Sequence, residues 1–395
     1  MAWLRKSPKT YYPLLLIVSA FLILRYNSLV TKKESFQPRS RDETHSIAVF
    51  DSLNNSFYEY FENFHLKYDI SKGRHNQRQL SLYHSGKNGE NPIPIVLLVG
   101  DRVQYIQTTL EKLYEAEGIQ DAPIFISRTS RNQNVTELCN RFSLSHSKFV
   151  LFFPFDFEES IHPRFRLKVH WLWILYHLFE SLKSHACFSH ILVLEDDLIV
   201  SPDFYTTGLS LIEICRKLQK KGIPIYNVNL YNGINPTCSL NAVEIVSHFD
   251  SLGYLISRET FEEIWKHLDI FMSCNDGWDH SVRLLQVLGM IPRYNLQPCI
   301  SRTRHIGEFG MHVVRCSSIK PNSVKYCCQN PLQYKELNYA AVKISNGSKV
   351  NWKEFELLKY DTRDEEFYSK CYDPQNFSGI TGPFISQKLD PSLIS

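Results

Sequence analysis

The sequence predicts an α/β fold in which helices cover both faces of a mostly parallel sheet. Short apolar runs alternate with longer segments whose apolar residues recur at helical spacing. In the first such unit the run Ile93–Val99 precedes a helix with Val103, Ile106, Leu110 and Leu113 on one face. Further strands are predicted at 123–127, 149–153 and 191–194, and a long aromatic helix at 165–182. This alternation is typical of a parallel sheet.

The second half of the chain continues the pattern less regularly. The predicted elements are a helix over 202–218, strands over 225–230 and 252–257, and helices over 259–268 and 281–288. A polar loop, 299–310, follows, and beyond Met311 the sequence becomes cysteine-rich and irregular, which predicts a small C-terminal subdomain. No Gly-x-Gly-x-x-Gly motif follows the first strand, so a dinucleotide site of the Rossmann type is disfavoured.

Composition and charge exclude some classes of protein. The 395 residues are 43% hydrophobic and 22% charged, which is ordinary for a globular chain with a sizeable core. The net charge of +3 is too small to indicate nucleic-acid binding. No nucleic-acid partner is therefore expected.

The N-terminal segment predicts a membrane anchor. Arg5, Lys6 and Lys9 precede an uncharged run, Tyr11–Leu24, that can extend to residue 30. A cleaved signal peptide ending near Val18-Ser19-Ala20 is the alternative, but it leaves a very short apolar region. The positive flank places the N-terminus in the cytosol. We therefore expect a cytosolic tail (1–10), a signal-anchor helix (11–30), a lumenal stem (31–91), a catalytic domain (92–312) and the C-terminal subdomain (313–395).

Two further features agree with a lumenal body. Glycosylation sequons occur after the anchor, at Asn54, Asn134, Asn346 and Asn376. All 10 cysteines also lie after the anchor, and an even number in an oxidising compartment suggests disulfides. Their pairing cannot be deduced from spacing.

The strongest chemical signal is the acidic triplet Glu195-Asp196-Asp197, which ends a buried strand. Like charges this close repel one another, and a divalent cation together with ligand hydroxyls relieves that repulsion. In open α/β sheets, ligands bind beyond the carboxyl ends of the strands, where the triplet lies. A solvated acidic turn is the alternative. We expect Asp197 to hold a hard cation through one carboxylate, with a diphosphate supplying other oxygens.

Other candidate residues would complete a nucleotide-sugar site. Arg102 offers planar donors for a uracil carbonyl or a phosphate, although a surface pair with Asp101 would equally explain it. Asp279 is a candidate general base, and Trp278 a wall on which a sugar stacks. A helix N-cap aspartate beside a core tryptophan is the alternative for this pair.

The loop after the last predicted helix adds two cationic candidates. Arg302 and His305 could stabilise a leaving diphosphate. The alternative is an ordinary charged loop.

These motifs resemble glycosyltransferase family 13, the inverting β-1,2-N-acetylglucosaminyltransferases of the secretory pathway. The resemblance covers about residues 91 to 312. The segments that carry it are Ile93–Arg102 with Leu110-Glu111-Lys112-Leu113, Phe165–Trp173, Leu194–Leu198 with Pro202-Asp203-Phe204, Leu252-Gly253-Tyr254, Trp278-Asp279 with Arg283, and Ile300–Thr303 with Gly307 and Gly310.

The resemblance implies a fold of the GT-A type, Mn²⁺ as cofactor and UDP-N-acetylglucosamine as donor. By it, Arg102 contacts the uracil, Asp196 the ribose and Glu195 the donor sugar, while Asp197 binds Mn²⁺ and Asp279 is the base. Two positions depart from the family pattern. His280 follows the Trp-Asp pair where many relatives have a second aspartate, and Thr129 stands where an acid often meets the uracil.

The expected function is transfer of N-acetylglucosamine to the 2-hydroxyl of a terminal mannose on glycoprotein N-glycans, with inversion. The expected acceptor is a mannose-terminated glycan or glycoprotein, and the expected location is the Golgi membrane, with the body lumenal. Two alternatives stay open. One is the same transfer to O-linked mannose of a protein, and the other is a catalytically degenerate sugar-binding relative.

Overall fold

The computed structural model describes residues 93–128, 132–145, 150–154, 163–183, 187–232, 239–247, 249–274, 277–307, 340, 350–358 and 382–384. Within these residues the architecture is one large sheet covered by helices, with a short two-stranded ribbon beside it. The strands are β1 Ile95–Val99, β2 Ile124–Arg128, β3 Val150–Pro154, β4 His190–Glu195, β5 Leu198–Val200, β6 Ile225–Asn229, β7 Ala242–Val246, β8 Tyr254–Ser257, β9 Tyr294–Pro298, β10 Thr303–His305 and β11 Glu356–Leu358.

The helices alternate with the strands through most of the chain. They are α1 Val103–Tyr114, α2 Gln133–Ser145, α3 Pro163–Tyr176, α4 Phe204–Lys220, α5 Arg258–Lys266, α6 Leu268–Ser273 and α7 Trp278–Val287. Short 3-10 turns occur at Ile119–Asp121 and Trp352–Glu354.

The described strands form a nine-stranded mixed sheet in the order β11-β7-β9-β6-β8-β4-β1-β2-β3. Five of its eight pairings are parallel, and the antiparallel ones are β4–β8, β6–β8 and β7–β9. The predicted α/β class with a mostly parallel sheet is therefore confirmed. The sequence pattern does not predict β7, β9 and β11, which complete the sheet beyond β6.

Side-chain alternation along β1 divides the core into two layers. Ile95, Leu97 and Val99 pack with α1, α2 and α4 on one face, and Val96 packs with α3, α5, α6 and α7 on the other. Helices thus cover β1 from both sides, which explains why the strand is apolar throughout.

The long aromatic helix ends earlier than its sequence pattern predicts. After α3 the chain widens into a π-helical turn, His177–Ser181, with a hydrogen bond from the Leu182 N–H to the His177 carbonyl at 3.0 Å. The Phe179 carbonyl within this turn accepts a hydrogen bond from Arg258 Nη1 at 2.7 Å. The wider turn therefore gives the α5 arginine a backbone acceptor.

The described parts of the predicted C-terminal subdomain belong to the main body. β11 pairs in parallel with β7 and extends the sheet. The N–H groups of Gly382 and Phe384 donate to the carbonyls of Leu288 and Gly289, each at 2.8 Å, just beyond the end of α7. The rest of 313–395, with its cysteines, lies outside the described residues.

The predicted cytosolic tail, signal-anchor helix and stem, residues 1–91, also lie outside the residues that the structure describes. Among the residues that the structure describes, no helix has the length and apolar character to cross a bilayer. One sequon, Asn134, is exposed near the start of α2. Cys139 and Cys215 are buried thiols without a disulfide, so the expected disulfide framework does not include all ten cysteines.

Candidate active site

The acidic triplet lies where the carboxyl ends of two parallel strands meet. β1 and β4 pair with Leu98 opposite Glu195, so the residues that follow β1 lie beside the triplet. Asp196 and Asp197 form the tight turn between β4 and β5, and both are buried. The alternative of a solvated acidic turn is therefore wrong.

Asp196 ties the turn to the end of β1. Its Oδ2 accepts a hydrogen bond from the Gly100 N–H at 2.7 Å, and its Oδ1 accepts one from Arg102 Nη2 at 2.6 Å. Its backbone carbonyl accepts one from the Thr109 hydroxyl of α1 at 2.8 Å. Burial raises the pKa of Asp196, and the attraction of Arg102 offsets only part of this effect.

Asp197 contacts two basic side chains. Its Oδ2 lies 2.7 Å from Arg102 Nη1 and 3.1 Å from His305 Nε2. Burial opposes its ionisation, but the hydrogen bond and charge of His305, with those of Arg102, lower the pKa of Asp197. Arg102 is thus bound to the acidic cluster, and the alternative of a surface pair confined to Asp101 is wrong.

The β5–β10 ribbon brings His305 to the cluster. His305 pairs with Leu198, directly after Asp197, and the Ile306 N–H donates to the Asp197 carbonyl at 2.8 Å. Gly307 follows so closely that a Cβ there would lie 2.3 Å from Asp197 Oδ2. Only glycine fits at this position without displacing the carboxylate.

The donors at this point fit a divalent cation. Asp197 Oδ1 is buried and has no hydrogen-bond partner among the described residues, so one carboxylate oxygen remains for a ligand. A carboxylate suits Mn²⁺, and a neutral imidazole is a common metal ligand. No group of three or more potential metal-binding side chains occurs in the described part of the chain. A cation held here would therefore take its other oxygens from a ligand or water.

Glu195 is half-buried at the end of β4, and the neighbouring carboxylates affect its pKa. Burial raises its pKa to about 8, and the charges of Asp197, Asp196 and Asp279 add to this effect. Asp279 follows the triplet at a long distance in the chain, yet it is close enough to influence Glu195. The fold therefore brings the predicted base to the acidic cluster.

Asp279 lies in the first turn of α7, and its side chain is 23% exposed. Gly277 occupies the N-cap position, so the alternative of a capping aspartate is wrong. A Cβ on Gly277 would lie 2.6 Å from Asp279 Oδ1, which shows how closely the carboxylate folds back over the helix start. Asp279 is thus an accessible carboxylate at a helix N-terminus, where negative charge is favoured.

Trp278 does not form the expected wall for a sugar. It is 5% exposed and stacks on Trp171 with ring centroids 4.9 Å apart and an interplanar angle of 7°. Trp171 also stacks on Phe271 and donates to the Tyr254 hydroxyl at 2.5 Å. We therefore correct the prediction: Trp278 is a core residue that seats the start of α7.

Arg302 also differs from its prediction. Its side chain has no exposed surface. Nε donates to Asp203 Oδ2 at 2.8 Å, Nη2 donates to the Leu240 carbonyl at 3.0 Å, and Nη1 donates to the Ile300 carbonyl. A guanidinium buried in this way cannot contact a diphosphate, so Arg302 stabilises the loop and His305 alone of the pair reaches the cluster.

Asp203 has a structural role that the sequence pattern did not reveal. It precedes α4 and looks like an N-cap, yet its side chain makes no capping hydrogen bond. Its carboxylate instead accepts from Arg302, Ser201 and Thr207. The Arg302 partner is remote in the chain, so no local motif could have identified this role.

Comparison with known proteins gives the following matches. A family model described as "GNT-I family" matches residues 52–346. An Arabidopsis thaliana alpha-1,3-mannosyl-glycoprotein 2-beta-N-acetylglucosaminyltransferase is 24% identical over 240 residues, covering 57% of this chain and 49% of the relative. A Mus musculus alpha-1,6-mannosyl-glycoprotein 2-beta-N-acetylglucosaminyltransferase is 21% identical over 267 residues, covering 55% of this chain and 59% of the relative. The chain thus spans about half to three-fifths of these relatives.

A solved structure, the mannosyltransferase PcManGT from Pyrobaculum calidifontis in complex with GDP-Man and Mn2+, is similar at 10% identity. It aligns with a TM-score of 0.32 over 64% of this chain and 69% of that one. A similarity of this size does not bear on function.

Proposed function

Because the chain belongs to the GNT-I family, we propose that it is an inverting glycosyltransferase that uses UDP-N-acetylglucosamine. In this proposal it transfers N-acetylglucosamine to the 2-hydroxyl of a terminal mannose on a glycoprotein N-glycan. The two relatives described above carry names for 2-β transfer onto mannosyl glycoproteins, which supports this acceptor class.

The observation that carries the proposal is the convergence of Asp279 with the acidic triplet. Asp197 offers a buried, unpartnered oxygen for a cation, and Asp279 offers a partly exposed carboxylate near Glu195. In a metal-dependent inverting transferase, a cation offsets charge on the leaving diphosphate and a single base near the sugar activates the attacking hydroxyl. Both groups lie close enough to Glu195 to raise its pKa, so one site can hold both functions.

Asp197 and His305 are the residues that would hold Mn²⁺. When bound, the ion supplies positive charge that offsets the charge developing on the departing diphosphate. The 2.6 and 2.7 Å contacts of Arg102 show that the protein already provides cationic charge at this point. Arg102 can therefore also contact the nucleotide, as the resemblance implies.

Asp279 would remove the proton from the mannose 2-hydroxyl as its oxygen attacks the donor sugar. The oxygen forms the new bond to the anomeric carbon while the bond to the diphosphate breaks, and Asp279 keeps the proton. One displacement inverts the configuration and needs no second catalytic acid. Glu195, whose pKa is raised by the charge of Asp279, is the residue that the resemblance assigns to the donor sugar.

The cellular setting is a further part of the proposal. We propose a single-pass type II protein of the Golgi membrane with its body in the lumen, anchored by residues 11–30. The exposed sequon at Asn134 is accessible to glycosylation, which supports a lumenal body. Cys274 and Cys299 are each disulfide-bonded, and further disulfides among the cysteines outside the described residues belong to the same proposal.

The test is a transfer assay with the purified full-length protein, UDP-N-acetylglucosamine and Mn²⁺. Two acceptors are compared, a mannose-terminated N-glycopeptide and an O-mannosyl peptide. We expect transfer to the N-glycopeptide, and transfer only to the O-mannosyl peptide would replace the proposed acceptor. Mn²⁺-dependent UDP binding without transfer or donor hydrolysis would indicate a catalytically degenerate relative.

The base is tested by Asp279→Asn, which keeps the shape of the side chain and removes its proton-accepting charge. We expect turnover to fall about 10²- to 10⁴-fold, with UDP binding unchanged. Asp269→Asn is the matched control, because Asp269 is likewise an acid in the first turn of a neighbouring helix. Full activity of Asp279→Asn would show that another group accepts the proton.

A further inference from the structure

The positively charged side chain of Arg102 contacts the two aspartates of the acidic cluster, where a metal cation would bind. One nitrogen of its guanidinium lies 2.6 Å from Asp196 Oδ1, and another lies 2.7 Å from Asp197 Oδ2. Both carboxylates are almost fully buried, so each needs a positive partner. The guanidinium fork spans the two aspartates as a single counterion.

A divalent cation at Asp197 would meet this arginine at the same carboxylate. Asp197 Oδ2 already accepts from both Arg102 and His305, while Oδ1 is buried without a partner among the described residues. A cation on Oδ1 would place two further positive charges beside Arg102, which shares its single charge between Asp196 and Asp197. Like charges repel strongly where water is largely excluded. Arg102 and the cation therefore compete for Asp197.

Arg102 is placed so that it can move. Its side chain is 30% exposed, and it stands at the start of α1, where its guanidinium lies 5.2 Å from the Tyr105 ring centroid. Arg302, in contrast, has no exposed surface. A rotation of the Arg102 side chain can therefore release Asp197 while the backbone of α1 stays in place.

We propose that Arg102 is an exchangeable internal counterion that couples cation binding to nucleotide binding. Without ligands it bridges Asp196 and Asp197. When a divalent cation and a nucleoside diphosphate bind together, Arg102 leaves Asp197 to the cation and turns to the anionic nucleotide. The nucleotide thus removes the competitor of the cation, so the two ligands bind cooperatively. This inference rests on the cation site of the proposed function.

The experiment measures Mn²⁺ binding by titration calorimetry, with and without UDP, for the full-length protein and Arg102→Met. Methionine keeps the apolar stem and removes the charge. We expect Mn²⁺ alone to bind about tenfold more tightly to the variant, because the buried carboxylates have lost their competing cation. We also compare the factor by which UDP increases Mn²⁺ affinity in each protein. This factor should be about fivefold or more smaller in Arg102→Met than in the unmodified protein.

Two further variants make the result specific. Arg216→Met removes one exposed arginine on α4 and should leave Mn²⁺ binding unchanged. Arg102→Lys keeps the charge but loses the fork, so its affinity for Mn²⁺ alone should lie between the other two. It also provides the test if Arg102→Met does not fold.

The outcomes separate this inference from the proposed function. Equal or weaker binding of Mn²⁺ alone by Arg102→Met, with UDP-enhanced binding intact in the unmodified protein, overturns the counterion role alone. No Mn²⁺ binding by the unmodified protein, with or without UDP, overturns both the cation site and this inference.

Discussion

Replacing Arg302 with leucine distinguishes a structural arginine from one that binds the donor. The substitution removes the ion pair with Asp203 and the hydrogen bonds to the carbonyls of Leu240 and Ile300. All of these groups are enclosed by protein, since the Arg302 side chain has no exposed surface. The loss therefore leaves a buried carboxylate and two carbonyls without their cationic donor.

The expected loss in the free energy of unfolding follows from these contacts. Removing one partner of a buried ion pair costs about 3–5 kcal/mol. Asp203 keeps the hydroxyls of Ser201 and Thr207 as donors. The cost of leaving Asp203 without its arginine is therefore about 3 kcal/mol, the lower end of this range. The two carbonyls add about 1 kcal/mol each, the lower end of the cost of leaving a buried acceptor without a hydrogen bond. We expect a total of about 5 kcal/mol.

Urea denaturation followed by tryptophan fluorescence measures this loss. Arg216→Leu removes an exposed arginine and should change stability by less than about 0.5 kcal/mol. The double variant Arg302→Leu/Asp203→Asn should be at least about 1 kcal/mol more stable than the sum of the two single losses. A loss below about 1 kcal/mol for Arg302→Leu, accompanied by weaker UDP binding, would refute the structural role and restore the donor-binding one.

Three other substitutions test separate parts of the structure. Asp197→Ala removes the oxygen available to a cation, so calorimetry should detect no Mn²⁺-dependent gain in UDP affinity; a retained gain would place the cation elsewhere. Gly382→Val puts a side chain where a Cβ would lie 2.3 Å from the Gly289 carbonyl oxygen, so urea denaturation should show a loss of about 1–3 kcal/mol, and an unchanged midpoint would contradict the contact. Burial lowers the pKa of His170 to about 3, so this histidine stays neutral in the fold while the unfolded chain binds a proton below pH 6.5. The contribution of neutral His170 to the free energy of unfolding is therefore complete above pH 6.5 and is lost as the pH falls towards 3. His170→Gln, which can still bond the Ser127 hydroxyl, should reduce the stability lost between pH 7.5 and 5 by about 2 kcal/mol, and an equal pH dependence in both proteins would show that His170 does not titrate in this way.

The sequence alone predicted the elements whose signals are local. The buried strand that ends in Glu195-Asp196-Asp197 was predicted because, in an α/β chain, an apolar run followed by carboxylates is typical of a central strand that ends at the ligand-binding edge of the sheet. The class of sheet followed from the strand–helix alternation, which is also a local signal. β9 was not predicted, since its buried residues include polar ones such as Gln297, which is paired with Glu244 of β7. β7 is apolar apart from Glu244 and was also not predicted, although its signal is local.

The candidate site was predicted only in part. The positions of Asp197, Asp279 and His305 follow from strand ends, a helix start and a loop, all visible in sequence. Whether their side chains meet depends on the β5–β10 pairing and on the seating of α7 by the aromatic stack. These contacts join residues that are remote in the chain.

Burial separates what the sequence determined from what only the tertiary structure decided. The sequence determined which residue types stand at each strand end, and thereby the chemistry available to this protein. The tertiary structure decided that Trp278 and Arg302 are enclosed, while Arg102 and Asp279 remain partly exposed. An arginine or a tryptophan can bind a ligand or fill a core with the same side chain. Only the packing of distant segments around it determines how much of its surface a ligand can reach.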